Sequence, residues 1–436
     1  MQENKKLKIK LTTMVITAIL LILIGIVLMV ILNQNKQTKN NVENEVEPSI
    51  SENKINEPVI KEEGYIDMNF KFLTMENNKQ NTIYSPLSIK YALKMLGEGA
   101  KGNTKLQIDN VIGNLNLTKY ENIDKALSLA NGIYIKDSYS EQIKDEYKNK
   151  LIQKYNAEIK YDAFKNANNV NKWIEDKTLG IIKNMLQDEI MQNPDMRMLI
   201  INALAIDMEW QNQFDTSSTY GIEFYLEEGT TMTATTMNEE TSNGSISYYK
   251  GREATALAMD LKKYDDTQLE FIAIMPEENL SKYIKTFTMD NLKTITNSLI
   301  PASKTPGGVA ISIPKFSFDY NLKLKEDLIK LGITDAFNKD LADFSDMSQE
   351  KLFVGDALHK ANIDFTEKGV KAAAVTVFMM MSATAIQDRV QPEVVKIDKP
   401  FLFVIKDKET DEIWFTGTVY NPNSWEKDKA DYAYKY

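Results

Sequence analysis

A side-chain centre for hydrolysis or group transfer needs a nucleophile beside a base. The 436-residue chain carries one histidine, His359, and no cysteine. His359 therefore reads first as a hydrogen-bonded core histidine, and the chain is not expected to be an enzyme. There is no HExxH helix or Cys/His cluster to hold zinc, and no GxxxxGK[ST] loop to cradle phosphate. Gly97, Gly99 and Gly102 do spell GxGxxG, but they follow a helical run rather than a strand, so they read as a helix stop and turn. The pairs Asp265-Asp266 and Glu277-Glu278 read as solvated loops, because a metal would need oxygens converging from several places. A net charge of −10 argues against a nucleic-acid partner. No metal and no cofactor are expected.

The least ordinary stretch runs from Glu367 to Gln387, EKGVKAAAVTVFMMMSATAIQ. After Gly369 it holds no Gly or Pro, and Lys371 is its one charge up to Ile386. On composition alone it reads as a buried helix. As a strand, it places Val370, Ala372, Ala374, Thr376, Phe378 and Met380 on one uncharged face and Lys371 on the other. Such a strand could enter the middle of a sheet without burying an unpaired ion.

The elements that would position this segment show both periods. Leu87 to Leu96 reads as a helix, as does the stripe Ile143, Tyr147, Leu151, Ile152 and Tyr155. Asn321 is placed to cap a helix carrying Leu324, Leu328 and Leu331. Met198 to Ile206, Leu269 to Met275, Val309 to Phe318 and Lys399 to Ile405 read as strands. Helices lead in the first half and strands in the second, which suggests an α+β class.

The N-terminus has a different character. Lys5, Lys6, Lys8 and Lys10 precede an uncharged apolar run from Leu11 to Leu32, long enough to span the ~30 Å core of a bilayer. It ends in Asn33-Gln34-Asn35-Lys36 without a small-residue cleavage site, so it reads as an uncleaved anchor. The expected layout is a cytoplasmic stretch at 1–10, a lipid-embedded span at 11–32 and a flexible polar stalk at 33–63. A globular domain at 64–422 would then lie outside the cell membrane, followed by a loose tail at 423–436.

From about residue 66 to 422 the chain resembles the serpin family in motif order and spacing. Six blocks carry the likeness: SPLSIKYALKMLGEGAKGNT from Ser85, INALAIDMEW from Ile201, ISIPKFSFDYNLKLKEDLIKLGITDAF from Ile311, LHKANIDFTEKGVKAAAVT from Leu358, KPFLFVI from Lys399 and FTGTVYNP from Phe415. The resemblance implies three β-sheets, about nine helices and an exposed reactive-centre loop at about 367–392. It implies a suicide inhibitor, acting as a monomer on serine or cysteine proteases. The cleaved loop would insert into the largest sheet and carry the acyl-enzyme with it.

Carried over residue by residue, Glu367 and Gly369 match the start of the hinge and Ala372, Ala373 and Ala374 its small-residue run. Val370 stands where Thr or Ser is usual. Ser85, Ser88, Asn202 and His359 match the polar cluster beneath the opening point of the sheet, whose implied role is to hold two strands together. Trp210 matches the aromatic at the loop's entry site. The usual hinge length puts the reactive bond between Ala383 and Thr384, suiting elastase- or subtilisin-like enzymes. Met380 and Met381 are alternatives, and counting back from Lys399-Pro400-Phe401 reaches Arg389 and a trypsin-like target. A papain-like target, or a non-inhibitory serpin acting as a binding module, are the competing readings.

Overall fold

The computed structural model describes residues 68–113, 117–370 and 390–426. The expected cytoplasmic stretch, membrane span and stalk lie outside them, as do residues 427–436 of the expected tail. Among the described residues no helix is long and apolar enough to cross a membrane.

In chain order the elements are α1 (Met68–Met75), β1 (Thr82–Tyr84), α2 (Pro86–Gly97), α3 (Gly102–Ile112), β2 (Leu127–Lys136), α4 (Asp145–Tyr155), β3 (Glu158–Asp162), α5 (Asn168–Lys177), α6 (Asp188–Gln192), β4 (Met198–Ile206) and β5 (Met208–Glu209). There follow β6 (Thr219–Tyr225), β7 (Thr231–Thr241), β8 (Ile246–Lys250), β9 (Ala254–Asp260), β10 (Leu269–Pro276), α7 (Leu280–Tyr283), α8 (Met289–Asn297), β11 (Ile300–Pro301), β12 (Val309–Pro314), β13 (Phe316–Lys323) and α9 (Leu324–Lys330). The chain closes with β14 (Leu358–Phe365), β15 (Gly369–Val370), β16 (Glu393–Lys396), β17 (Phe401–Asp407) and β18 (Ile413–Val419). Nine α-helices among the described residues, mixed with segregated sheets, make this an α+β protein.

A seven-stranded antiparallel sheet, in the order β1-β18-β17-β10-β9-β8-β11, forms the centre. Every residue of β10, β17 and β18 is buried, which is why these strands read as continuous apolar runs rather than alternating ones. Phe271 of β10 and Phe403 of β17 stack against Phe316 and Phe365 of β13 and β14, with ring centroids 4.6–6.4 Å apart. That aromatic layer joins the central sheet to the strands that position the site. A second sheet runs β16-β12-β7-β6.

Three sheets were expected, but the described residues form four hydrogen-bonded sets. The remaining two are β3-β2-β4 and β13-β14-β15-β5. Since β4 and β5 are separated by Asp207 alone, one stretch of chain belongs to both. They are the two flaps of a single large sheet, joined at one end through β15 and parted along the rest of β4 and β14.

Local chemistry explains the boundaries. Helix α2 starts where Ser85, in extended backbone, accepts a hydrogen bond from Ser88 N at 3.0 Å, with Pro86 at the first helical position. Gly97 ends α2 and Gly102, at φ +53°, opens α3, so GxGxxG is a corner between two helices. At its centre a Cβ on Gly99 would meet Met347 at 2.6 Å. The expected strand Val309 to Phe318 is two strands. The chain leaves β12 at Pro314 and joins a different sheet at Phe316. Nor does Asn321 cap a helix. It pairs with Lys360 inside β13, whose ladder with β14 runs on to Lys323 and overrides the local signal. The first residues of the expected tail lie beside β7, where Ser424 bridges Ala234 and Trp425 N donates to Thr233 O at 2.9 Å.

Candidate functional site: a parted sheet and its hinge

The hinge begins where β14 ends. Thr366 N donates to Gly369 O at 3.0 Å, turning the chain back so that Val370 pairs with Phe365. On its other side β15 pairs with β5, Gly369 opposite Glu209 and Val370 opposite Met208. The strand is antiparallel to both neighbours, so it fills the place between the two flaps. A Cβ on Gly369 would lie 2.1 Å from Met208 O. Only glycine allows that approach, and its backbone there is ordinary extended chain.

Trp210 holds the turn. Its indole Nε1–H donates to Thr366 O and its backbone N–H to Lys368 O, both at 2.8 Å, while its ring lies edge-on to Phe271 and Phe365. Glu367 is held from outside. Phe214 N donates to its carbonyl at 2.9 Å, and its carboxylate accepts from Thr219 Oγ1 at 2.9 Å and Lys315 Nζ at 2.8 Å. Burial pushes this carboxyl up, but the bonds from Lys315 and Thr219 outweigh it and leave it below the ordinary glutamate value.

Below Val370 the flaps enclose a cleft. Leu204, Ala205 and Ile206 form one wall and Asn362, Ile363 and Asp364 the other, over a floor of Ile83, Ile405 and Phe415. Among the described residues β4 pairs only with β2, and β14 pairs only with β13 and the two residues of β15. The facing edges of β4 and β14 therefore have backbone groups with no strand between them. Ile181 and Ile182, from the connector after α5, also line the cleft, and Lys360 Nζ of β14 reaches Lys183 O of that connector at 3.2 Å.

The four residues of the expected polar cluster divide between the walls. Ser85 N donates to His359 Nε2 at 3.0 Å, and Ser88 N donates to Ser85 Oγ. Burial pushes the His359 imidazole down to about 4. Asn202 stands on the opposite wall and turns away. Its Nδ2 donates to Asn131 Oδ1 at 2.8 Å, and Asn131 Nδ2 donates to Tyr155 O at 2.7 Å. Asn202 Oδ1 is buried and finds no partner among the described residues, a cost of about 1–3 kcal/mol.

Ala372, Ala373, Ala374, Met380, Met381, Ala383, Thr384 and Arg389 lie outside the described residues. The chain returns at Val390 and enters β16, which runs parallel to β12. Gly307 and Gly308, at φ +80° and +77°, lie beside this return arm: a Cβ on Gly307 would meet Val390 O at 2.5 Å, and Gly308 O accepts from Glu393 N at 3.0 Å.

Sequence reading missed Lys315, Thr219, Asn131 and the Ile181-Ile182 connector. Lys315 and Glu367 are 52 residues apart and nothing local links them. Asn131 could have been found, as a lone amide inside the apolar run LSLANGIYI.

The family model for Serpin (serine protease inhibitor) matches residues 68–422. The chain belongs to the serpin family. A serpin-like protein of Methanosarcina mazei is 30% identical over 368 residues, covering 79% of this chain and 82% of its own. Mouse neuroserpin is 25% identical over 383 residues, covering 81% of this serpin and 89% of itself. Among solved structures, the thermophilic serpin tengpin in its native state matches with a TM-score of 0.69 at 29% identity, covering 85% of this chain and 96% of its own. The same protein in its latent state gives 0.62 at 26% identity. The serpin thus has the fold of the protease-inhibitor family throughout its described part.

Proposed function

We propose that this serpin inhibits serine-type endopeptidases by a suicide mechanism, without enzymatic turnover of its own. The observation that carries this reading is β15. Gly369 and Val370 of the hinge are already paired antiparallel between β14 and β5, at the mouth of a largely apolar cleft between the flaps. Continuing the pleat from Val370 would set Ala372 and Ala374 over the same floor of Ile83, Ile405 and Phe415. Cutting the loop would release the hinge to extend, pairing the free edges of β4 and β14 and drawing the acylated protease along. The higher likeness to a native than to a latent relative supports a molecule that has not yet made this move.

Ala383 favours elastase- or subtilisin-like targets with small apolar pockets. Residues 11–32 would hold the inhibitor, as a monomer, in the membrane with its serpin domain outside the cell. The test mixes the soluble domain with elastase-, subtilisin-, trypsin- and papain-like enzymes. An adduct that survives SDS, and a sharply raised melting temperature of the cleaved serpin, are expected. Cleavage without adduct would mark a substrate or binding module, and peptide turnover by the serpin alone would overturn the assignment.

A further inference from the structure

The return arm is held by the sheet β16-β12-β7-β6, and that sheet carries one unusual side chain. Glu239 of β7 stands opposite Ile311 of β12, which in turn stands opposite Val395 of β16. Ile311 and Val395 are fully buried, as is Met237, two residues before Glu239 on the same face. The acid, half-buried as a residue, thus lies on the same face as this apolar layer and turns one oxygen into it. Its Oε2 is buried and has no hydrogen-bond partner among the described residues.

Its charged surroundings do not compensate. Strand β12 carries no charge from Val309 to Pro314. On β7 itself, Glu240 points to the opposite face. On β16, Glu393 pairs with Lys250, and Lys396 is exposed opposite Ser312 rather than Ile311. Before β6, Asp215 is engaged by Ser217 N. Burial pushes the Glu239 carboxyl up to about 7, and a hydrogen bond with Thr241 draws it only part of the way back.

We propose that Glu239 makes the sheet's grip on β16, and with it the lifetime of the inhibitory form, dependent on pH close to neutrality. As a neutral acid the side chain is tolerated in the layer. As a carboxylate it requires water, which must enter between β7 and the strands beyond it. The least costly strand to loosen is β16, which has four residues, lies at an edge and pairs on one side only. A carboxyl raised in the folded state contributes stability that is full below its unfolded value near 4.5 and is lost as pH rises through about 7. The loss expected here therefore accumulates between about pH 4.5 and about 7 and levels off above that.

The lifetime part rests on the inhibitor reading, whereas the grip does not, so two measurements separate them. Hydrogen exchange of the β16 amides, corrected for intrinsic rate, is followed in the full chain and in Glu239→Gln at about pH 6 and about pH 8. Wild type should show an opening population about tenfold larger at the higher pH, with β10 unchanged, and the variant should be flat. Equal slopes in the two proteins overturn the proposal. If Glu239→Gln does not fold, Thr241→Val serves instead. It removes the opposing bond and should move the transition to higher pH, and an unmoved transition overturns the proposal equally. The half-life of protease trapping should follow the same pH course. A half-life insensitive to pH while exchange responds would overturn the link to lifetime alone. If no protease is trapped at all, the inhibitor reading fails and the exchange result still decides the role of Glu239.

Discussion

The backbone N–H of Ser85 donates to Nε2 of His359, tying the cap of α2 to β14 across 274 residues of sequence. That bond needs an unprotonated Nε2, and burial keeps it so by holding the imidazole down at about 4 against an ordinary 6.5. A histidine lowered in the folded state contributes stability present above about pH 6.5 and lost as pH falls toward about 4. The loss should reach on the order of 3 kcal/mol. Urea unfolding across this range should show it, and His359→Gln should flatten the curve. A wild-type curve as flat as the variant's would mean that the ring is not held neutral.

Lys315 and Glu367 form an ion pair at 2.8 Å with side chains only 23% and 10% exposed. Reversing either charge should lower stability by about 2 kcal/mol, and the swapped double variant should regain much of it. Thermal unfolding of the four proteins measures the coupling. Strict additivity would show that the pair does not hold the hinge base.

Gly369→Ala should displace the hinge rather than unfold the protein, because the added carbon meets Met208 O at 2.1 Å while β14 and β5 remain supported elsewhere. The expected outcome is loss of protection at the Val370 amide and weaker burial of Trp210, read by hydrogen exchange and fluorescence. An alanine variant with wild-type protection would contradict the close approach.

Val370→Arg places a guanidinium in the cleft over Ile83, Ile405 and Phe415, where Asp364 on the β14 wall is the one carboxylate among the lining residues. The variant should be cleaved by any protease that wild type traps, with adduct yield falling about tenfold or more. Undiminished trapping would rule out entry at this position.

Much of this site was legible in the residues. Blocks around Ser85, Ile201, Leu358 and Phe415 marked the strands and helix that frame the cleft, and buried runs such as Leu269 to Met275 had the right length and composition. What stayed hidden depends on pairing between distant segments. Asn321 looks like a cap until β14 extends β13 past it. Lys315 looks like a mid-strand residue until the chain changes sheets beside Pro314. Asn202 and His359 carry no local sign that they bond away from each other, because Asn131 and Ser85 reach them from different parts of the sequence.

Gly307 and Gly308 fix one arm of the loop in place, whereas β15 lies at the start of an open track. On the inhibitor reading proposed above, a molecule anchored at one end and guided at the other would work as a measuring tape, with the position of the cut setting its reading. A break after Ala383 leaves thirteen residues beyond Val370, about 43 Å of extended strand; a break after Arg389 leaves nineteen, about 63 Å. Phe365 already pairs with Val370, so the groove beyond it runs along seven residues of β14, Leu358 to Asp364, about 23 Å. The later cut would leave about 40 Å of slack beyond the groove and the earlier one about 20 Å, so the same fold would pull tightly on one class of enzyme and only loosely on the other.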